Sequence, residues 1–169
     1  MLLLIDGYNL LHSGRTLVRL NSIQLQRERD GLIEKLSVYR QAKSIEILVV
    51  FDGWQAGWNT EKRERKKGVD LIFSRVGEKA DEVIKRLIRE KGSGVIAVTS
   101  DREISNYAGK LSVPVLPSEQ FRERMEQASV SVTEEYDKGE EEEKQFKRKG
   151  SSRQLSKKEK RLRIALKKL

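Results

Sequence analysis

Three short apolar runs, residues 2–5, 45–51 and 95–98, are each rich in branched aliphatic side chains and are followed almost at once by a turn-prone acid. Runs of this length and composition suit buried parallel strands. The acids at their ends are Asp6, Asp52 and Asp101. In an open α/β sheet the parallel strands share a direction, so their carboxyl ends gather along the edge where such folds bind ligands. A fourth acid, Asp81, opens an amphipathic segment in which Ala80, Val83, Ile84, Leu87 and Ile88 follow helical spacing up to Gly92. At 100° per residue Asp81 falls on the edge of that apolar face, while Glu82 points away. Carboxylates brought within a few ångströms repel and raise one another's pKa unless a cation neutralises them. Hard oxygen ligands of this kind select Mg²⁺ or Mn²⁺.

The rest of the chain reads as alternating strands and helices. Asp6-Gly7-Tyr8-Asn9 reads as a turn, and a polar loop leads to a helix from Asn21 or Ser22 with Leu25, Leu32, Ile33, Leu36 and Tyr39 as its apolar stripe. A second strand covers residues 44–51. Residues 53–67, with Trp54, Trp58 and a charged cluster, read as an exposed loop or short helix before a strand at Val69–Phe73. Ser100-Asp101-Arg102-Glu103 fits a capping box for a helix to about Leu111. A last strand over residues 113–116 and a helix from Pro117 and Ser118 to about Ala128 complete the pattern. This alternation predicts a mostly parallel sheet with helices on both faces, an α/β/α sandwich.

Length and charge set the organisation. The 169 residues suffice for one domain with a core, placed at 1–130, followed by a charged linker at 131–153 and a basic helix or tail at 154–169. Net charge is +9, unevenly spread: residues 134–143 sum to −6 and residues 144–169 to +11. Such a balance suits a polyanion, most often nucleic acid. With no cysteine and one histidine, His12, disulfides, thiolate zinc sites and cysteine nucleophiles are excluded and a His-based zinc site is disfavoured. The first apolar run is too short for a signal peptide or membrane span, so the expectation is a soluble, cytoplasmic chain without membrane partners. Oligomeric state is not encoded in any of these signals.

Each acid also has a local explanation. Asp6 and Asp52 can make turns with the glycines that follow, and Asp101 can complement a helix dipole. Turn chemistry does not require all four to cluster, and as a set they favour a site. The motifs Asp6-Gly7-Tyr8-Asn9, Val50-Phe51-Asp52-Gly53, Ala80-Asp81-Glu82 and Thr99-Ser100-Asp101 occur in an order that resembles the NYN-domain ribonucleases of the PIN-like superfamily, in its bacterial YacP-like branch. The resemblance covers about residues 1–130. It implies a PIN-like α/β/α sandwich and metal-dependent endoribonuclease activity, with Asp6, Asn9, Asp81 and Asp101 on the family's site positions. The further acid that many relatives place one helical turn after Asp101 is Ser105 here. Asp52, or else Glu103, is then the candidate fourth ligand, with Asp52 preferred, and the acids are compatible with one metal or two.

Phosphodiester hydrolysis is the chemistry those ligands imply, with a metal lowering the pKa of water and offsetting charge on phosphorus, assisted by a cation such as Arg102 or a loop lysine. For substrate, Trp54 and Trp58 beside Arg63, Arg65, Lys66 and Lys67 join stacking surfaces to phosphate-binding charge, which suits single-stranded RNA, with Tyr8 as a further stacking group near the metal. A role in mRNA decay follows from that substrate, and the basic tail extends the expected partners to structured RNA and the ribosome. The competing expectation is an RNA- or ribosome-binding adaptor with vestigial acids. A haloacid-dehalogenase-type phosphatase is disfavoured, because no second acid stands two positions after Asp6.

Overall fold

The computed structural model describes residues 1–13, 21–53 and 58–134, with side chains to residue 128. Trp54, the linker beyond residue 134 and the basic tail lie outside the described residues. A six-stranded sheet has the order β3-β4-β2-β1-β5-β6. Its strands are β1 (Leu2–Asp6), β2 (Glu46–Phe51), β3 (Lys62–Lys66), β4 (Val69–Phe73), β5 (Val95–Val98) and β6 (Val115–Leu116). All neighbours are parallel except β3, which pairs antiparallel with β4. The helices are α1 (Gly7–His12), α2 (Ser22–Lys43), α3 (Ala80–Lys91), α4 (Arg102–Lys110) and α5 (Ser118–Glu134).

Alternation along the strands divides the core into two layers. Leu3, Ile5, Ile47, Val49 and Phe51 pack against α1, α2 and α5, whereas Leu4, Leu48, Val50, Val95 and Ala97 pack against α3 and α4. The sandwich inferred from the sequence is the fold observed. The stripe foreseen on α2 is buried, and the five apolar residues of α3 are all buried. Among the described residues no helix is long and apolar enough to cross a membrane.

Several expectations are corrected. Asp6 does not open a simple turn; its carboxylate caps a short helix, α1, while residues 14–20 of the expected polar loop lie outside the described residues. Residues 62–66 are neither loop nor helix but the edge strand β3, reached through a two-residue hairpin in which Lys67 (φ 52) and Gly68 (φ 81) both take positive φ. That geometry matches the twist of the flanking strands. An edge strand made of Lys, Arg and Glu resists pairing with another chain, so charge that argues against a buried strand suits this position. At α4 the N-cap is Asp101, not Ser100, and Ile104 rather than Glu103 stands at the position the cap bonds. Strand β2 begins two residues later than expected because Ser44 closes α2 in the left-handed region (φ 50). The last strand is shortened at its start because Val113 donates back to Ala108 at the end of α4, and sheet pairing resumes at the Pro114 carbonyl. Helix α5 runs past Ala128 to Glu134.

Candidate active site

Strands β1 and β5 are parallel neighbours, so Asp6 and the segment 99–101 meet at the carboxyl edge of the sheet. Asp6 ends β1 on the same side as Leu4, which turns its carboxylate toward α3 and α4. It is 8% exposed. One oxygen accepts from the Asn9 backbone N–H at 3.2 Å, and the other accepts from the Thr99 hydroxyl at 3.1 Å. Burial pushes this carboxyl up to about 6 against the pull of those two hydrogen bonds, and repulsion from Asp81 and Asp101 adds to the rise.

Asp101 serves two structures at once. Its carboxylate accepts from Ile104 N–H at 2.9 Å, capping α4, and its own N–H donates to the Thr99 hydroxyl at 3.1 Å. Since the Thr99 oxygen receives that N–H, its proton is directed at Asp6, and one buried hydroxyl links two acids. Asp81 stands in the first turn of α3, half-buried. Burial and then Asp101 raise its pKa; Lys85 opposes, Glu103 raises it again and Lys79 opposes. Lys85 is itself ion-paired with Glu103 and with Glu82, the latter at 3.2 Å. Glu103 therefore acts on Asp81 from α4.

Asn9 ties distant parts of the chain together. Its side-chain oxygen accepts from the Ser100 N–H at 2.9 Å and from the Ser118 hydroxyl at 2.6 Å, while the Ser118 N–H donates to the Ser100 hydroxyl at 3.1 Å. Ser105 sits one turn into α4 and donates to the Asp101 carbonyl at 2.5 Å, so it supplies no acid to the cluster.

Asp52 lies at the end of β2, accepting a long hydrogen bond (3.4 Å) from the Ser74 hydroxyl. Its charge acts on the Tyr8 hydroxyl, whereas the carboxylates acting on Asp6 are Asp81 and Asp101. Tyr8 is half-buried, edge-on to Phe51 at 5.3 Å, and receives a 3.4 Å hydrogen bond from Arg29. Trp58 packs edge-on to Phe73 at 5.2 Å, and Lys62 Nζ lies 4.4 Å from its ring centre.

The basic cluster is divided by the register of β3. Lys62 pairs with Phe73 at the carboxyl edge and Lys66 with Val69 at the opposite edge, roughly 13 Å away at strand rise. Arg63 thus lies near the acid edge, while Lys66 and Lys67 lie far from it. Each basic residue has an acid beside it: Arg63 with Glu61 (2.8 Å), Arg65 with Asp70 (3.5 Å), Lys66 with Asp30 (3.8 Å) and Lys67 with Glu34. Arg102 is exposed on the first turn of α4.

Asp6, Asp81 and Asp101 are therefore brought together with Asn9, Glu103 stands beside Asp81, and Asp52 stands toward Tyr8. Thr99, Ser118 and Lys85 had no role in the sequence reading. Thr99 lay inside a quoted motif, but the partner of its hydroxyl is 93 positions away.

The donor set matches Mg²⁺ or Mn²⁺ in kind, being all carboxylate and mutually repelling around one buried acid. Among the described residues no three acidic or histidine side chains already stand close enough to hold an ion. A cation held by them would neutralise the charges whose repulsion adds to the effect of burial on Asp6.

The sequence model of the YacP-like NYN domain matches residues 3–163. Among curated proteins, YacP of Bacillus subtilis (strain 168) is 34% identical over 86 residues, an alignment covering 51% of this chain and 50% of that protein. The chain is thus matched to about half the length of that relative. The crystal structure of Rae1 (YacP) from Bacillus subtilis is similar with a TM-score of 0.65 at 23% identity, over 81% of this chain and 80% of that one. A point mutant of the same protein gives 0.64 at 24%, over 79% of each chain. At these identities the two structures establish the shared fold.

Proposed function

This chain belongs to the YacP-like NYN domain family, and from that premise we propose that it is a metal-dependent endoribonuclease hydrolysing phosphodiester bonds in single-stranded RNA. The observation that carries the reading is the convergence of Asp6, Asp81 and Asp101, one of them buried with its carboxyl lifted to about 6. Perturbed acids gathered at a ligand-binding edge are characteristic of functional sites.

Asp6, Asp81 and Asp101 are the residues to hold Mg²⁺ or Mn²⁺, with Glu103 better placed than Asp52 to join them through its proximity to Asp81. When bound, the cation supplies neutralisation of these carboxylates, a lowered pKa for water and compensation of charge on the phosphate. Thr99 fixes the rotamer of Asp6 and the backbone of Asp101 together. Asn9 holds Ser100 and the start of α5 against α1, which keeps the acids in register. Its Nδ2 bonds to no other described residue and is left to donate to a water or a phosphate oxygen. Lys85, set between Glu82 and Glu103, tempers the negative field around Asp81.

The +11 charge of residues 144–169 adds affinity for phosphates without reading sequence, and it extends the proposed partners to structured RNA such as the ribosome. The test is cleavage of single-stranded RNA with Mn²⁺ by the wild type, Asp6→Asn and Asp101→Asn. Loss in both variants supports the assignment; equal cleavage by all three defeats it.

One observation favours a second reading, an RNA-binding adaptor: the acids do not stand closed around an ion, and Ser105 occupies the place of a further acid. An adaptor binds RNA tightly and salt-sensitively, cleaves nothing with either metal, and loses binding when cut at about residue 133.

A further inference from the structure

The two flanks of the acid cluster differ in the groups they offer an RNA strand. On the α3 and α4 side stand Glu82 and Glu103, with Lys85 committed to both. On the α2 side a run of rings crosses the carboxyl edge: Tyr8 against Phe51 at 5.3 Å, Phe51 against Phe73 at 5.6 Å, and Phe73 against Trp58 at 5.2 Å. Above this run lies Arg29 of α2, its guanidinium carbon 5.7 Å from the centre of the Phe73 ring.

Arg29 is half-buried and, among the described residues, makes no ion pair. Its five N–H donors have two protein acceptors, Gln26 Oε1 at 2.6 Å and the Tyr8 hydroxyl at a long 3.4 Å. Its Nε is buried and has no partner among the described residues, so the donors left for a ligand are the outer Nη N–H groups. A guanidinium pinned over an aromatic face keeps one N–H on each Nη beyond those given to Gln26 and Tyr8, and a phosphate oxygen is the acceptor that its planar fork fits best.

We propose that Arg29 and the Tyr8 hydroxyl form a subsite for a backbone phosphate next to the scissile one, so that the RNA strand leaves the acid cluster over Tyr8 toward α2. The subsite rests on the proposed nuclease reading for its ligand, but it is built from residues outside the acid cluster. The strand crosses the sheet edge from the α3 and α4 layer, where Asp6 points, to the α2 layer, where Tyr8 and Phe73 offer ring surface beside the phosphate contact. The opposite exit runs past Glu82 and Glu103, which hold Lys85 between them.

The test is binding of a short fluorescein-labelled oligouridylate to the full chain in EDTA, followed by anisotropy over a series of KCl concentrations. Arg29→Gln weakens binding about tenfold and lowers the slope of log affinity against log salt by about 0.7. Arg89→Gln, which removes an equal charge from the last turn of α3, leaves both unchanged. Wild-type affinity and slope in Arg29→Gln, or equal weakening by Arg89→Gln, overturns the subsite. Should Arg29→Gln fail to fold, Arg29→Lys decides: weaker binding at the wild-type slope supports the subsite, and wild-type affinity overturns it. Cleavage that depends on Asp6, with binding indifferent to Arg29, defeats the subsite and leaves the proposed activity standing. Weakened binding by Arg29→Gln in a protein that never cleaves does the reverse.

Discussion

Replacing Asp6 by Asn, a change that removes the central acid of the cluster, should raise the stability of the protein at neutral pH. Its carboxyl titrates at about 6 instead of 3.8, with burial the largest cause. Below pH 3.8 the folded and unfolded chains both hold the proton and no difference exists. Between 3.8 and about 6 the unfolded chain ionises first, so rising pH withdraws stability; above about 6 the full cost is present. At about 1.4 kcal/mol per pH unit, that cost is about 3 kcal/mol. The amide keeps the acceptor for Asn9 N–H but turns an NH₂ toward the Thr99 hydroxyl, which returns about 1 kcal/mol. The net gain is about 2 kcal/mol, or roughly 4–8 °C in melting temperature for a chain of this size. Thermal melts of both proteins in EDTA at about pH 7.5 and pH 4.5 measure it, and the gap should vanish at the acid end because about 1 kcal/mol of the cost then remains. A variant that melts below the wild type at pH 7.5, or a gap indifferent to pH, would refute the claim that Asp6 is held charged at a cost.

Mn²⁺ added at pH 7.5 should raise the melting temperature of the wild type, because an ion bound only by the folded state stabilises it by mass action, and should leave Asp6→Asn unmoved. Asp101→Ala should lose about 1 kcal/mol in urea unfolding through the missing α4 cap, whereas Asp101→Asn keeps the cap and loses activity alone. Thr99→Val should misalign Asp6 and Asp101 together, lowering kcat while Thr99→Ser restores it. Gly53→Ala should destabilise by 2 kcal/mol or more, on the order expected of forced overpacking, since a Cβ there meets the Ser74 carbonyl oxygen at 2.0 Å; a melt within 1 °C of wild type would contradict that approach.

The central parallel strands were legible because they are buried on both faces and so carry a nearly unbroken apolar signal, as residues 47–51 do. Helix α3 was legible from spacing alone, including the contrast between half-buried Asp81 and exposed Glu82. Strand β3 was not. Its residues Lys62–Lys66 are held by main-chain pairing with β4 and by a Lys67-Gly68 hairpin, neither of which imposes an apolar pattern. The acids could be named in sequence but not sorted: Glu103 stands near Asp81 because α4 packs beside α3 and Lys85 spans them, a relation between helices that no local spacing records. Arg63, Arg65, Lys66 and Lys67 are close in sequence, but an extended strand spreads neighbours along its length.

The amide of Asn9 has a consequence for how the protein comes into being. It bonds to residues 91 and 109 positions away, and the Thr99 partner of Asp6 is 93 positions away. During synthesis β1 leaves the ribosome before β5 and waits for it, and its helix waits for the start of α5, before the acids are set in place. Contacts of such long sequence separation form late. The cluster therefore has no assembled form until the start of α5 has been made and has left the ribosome.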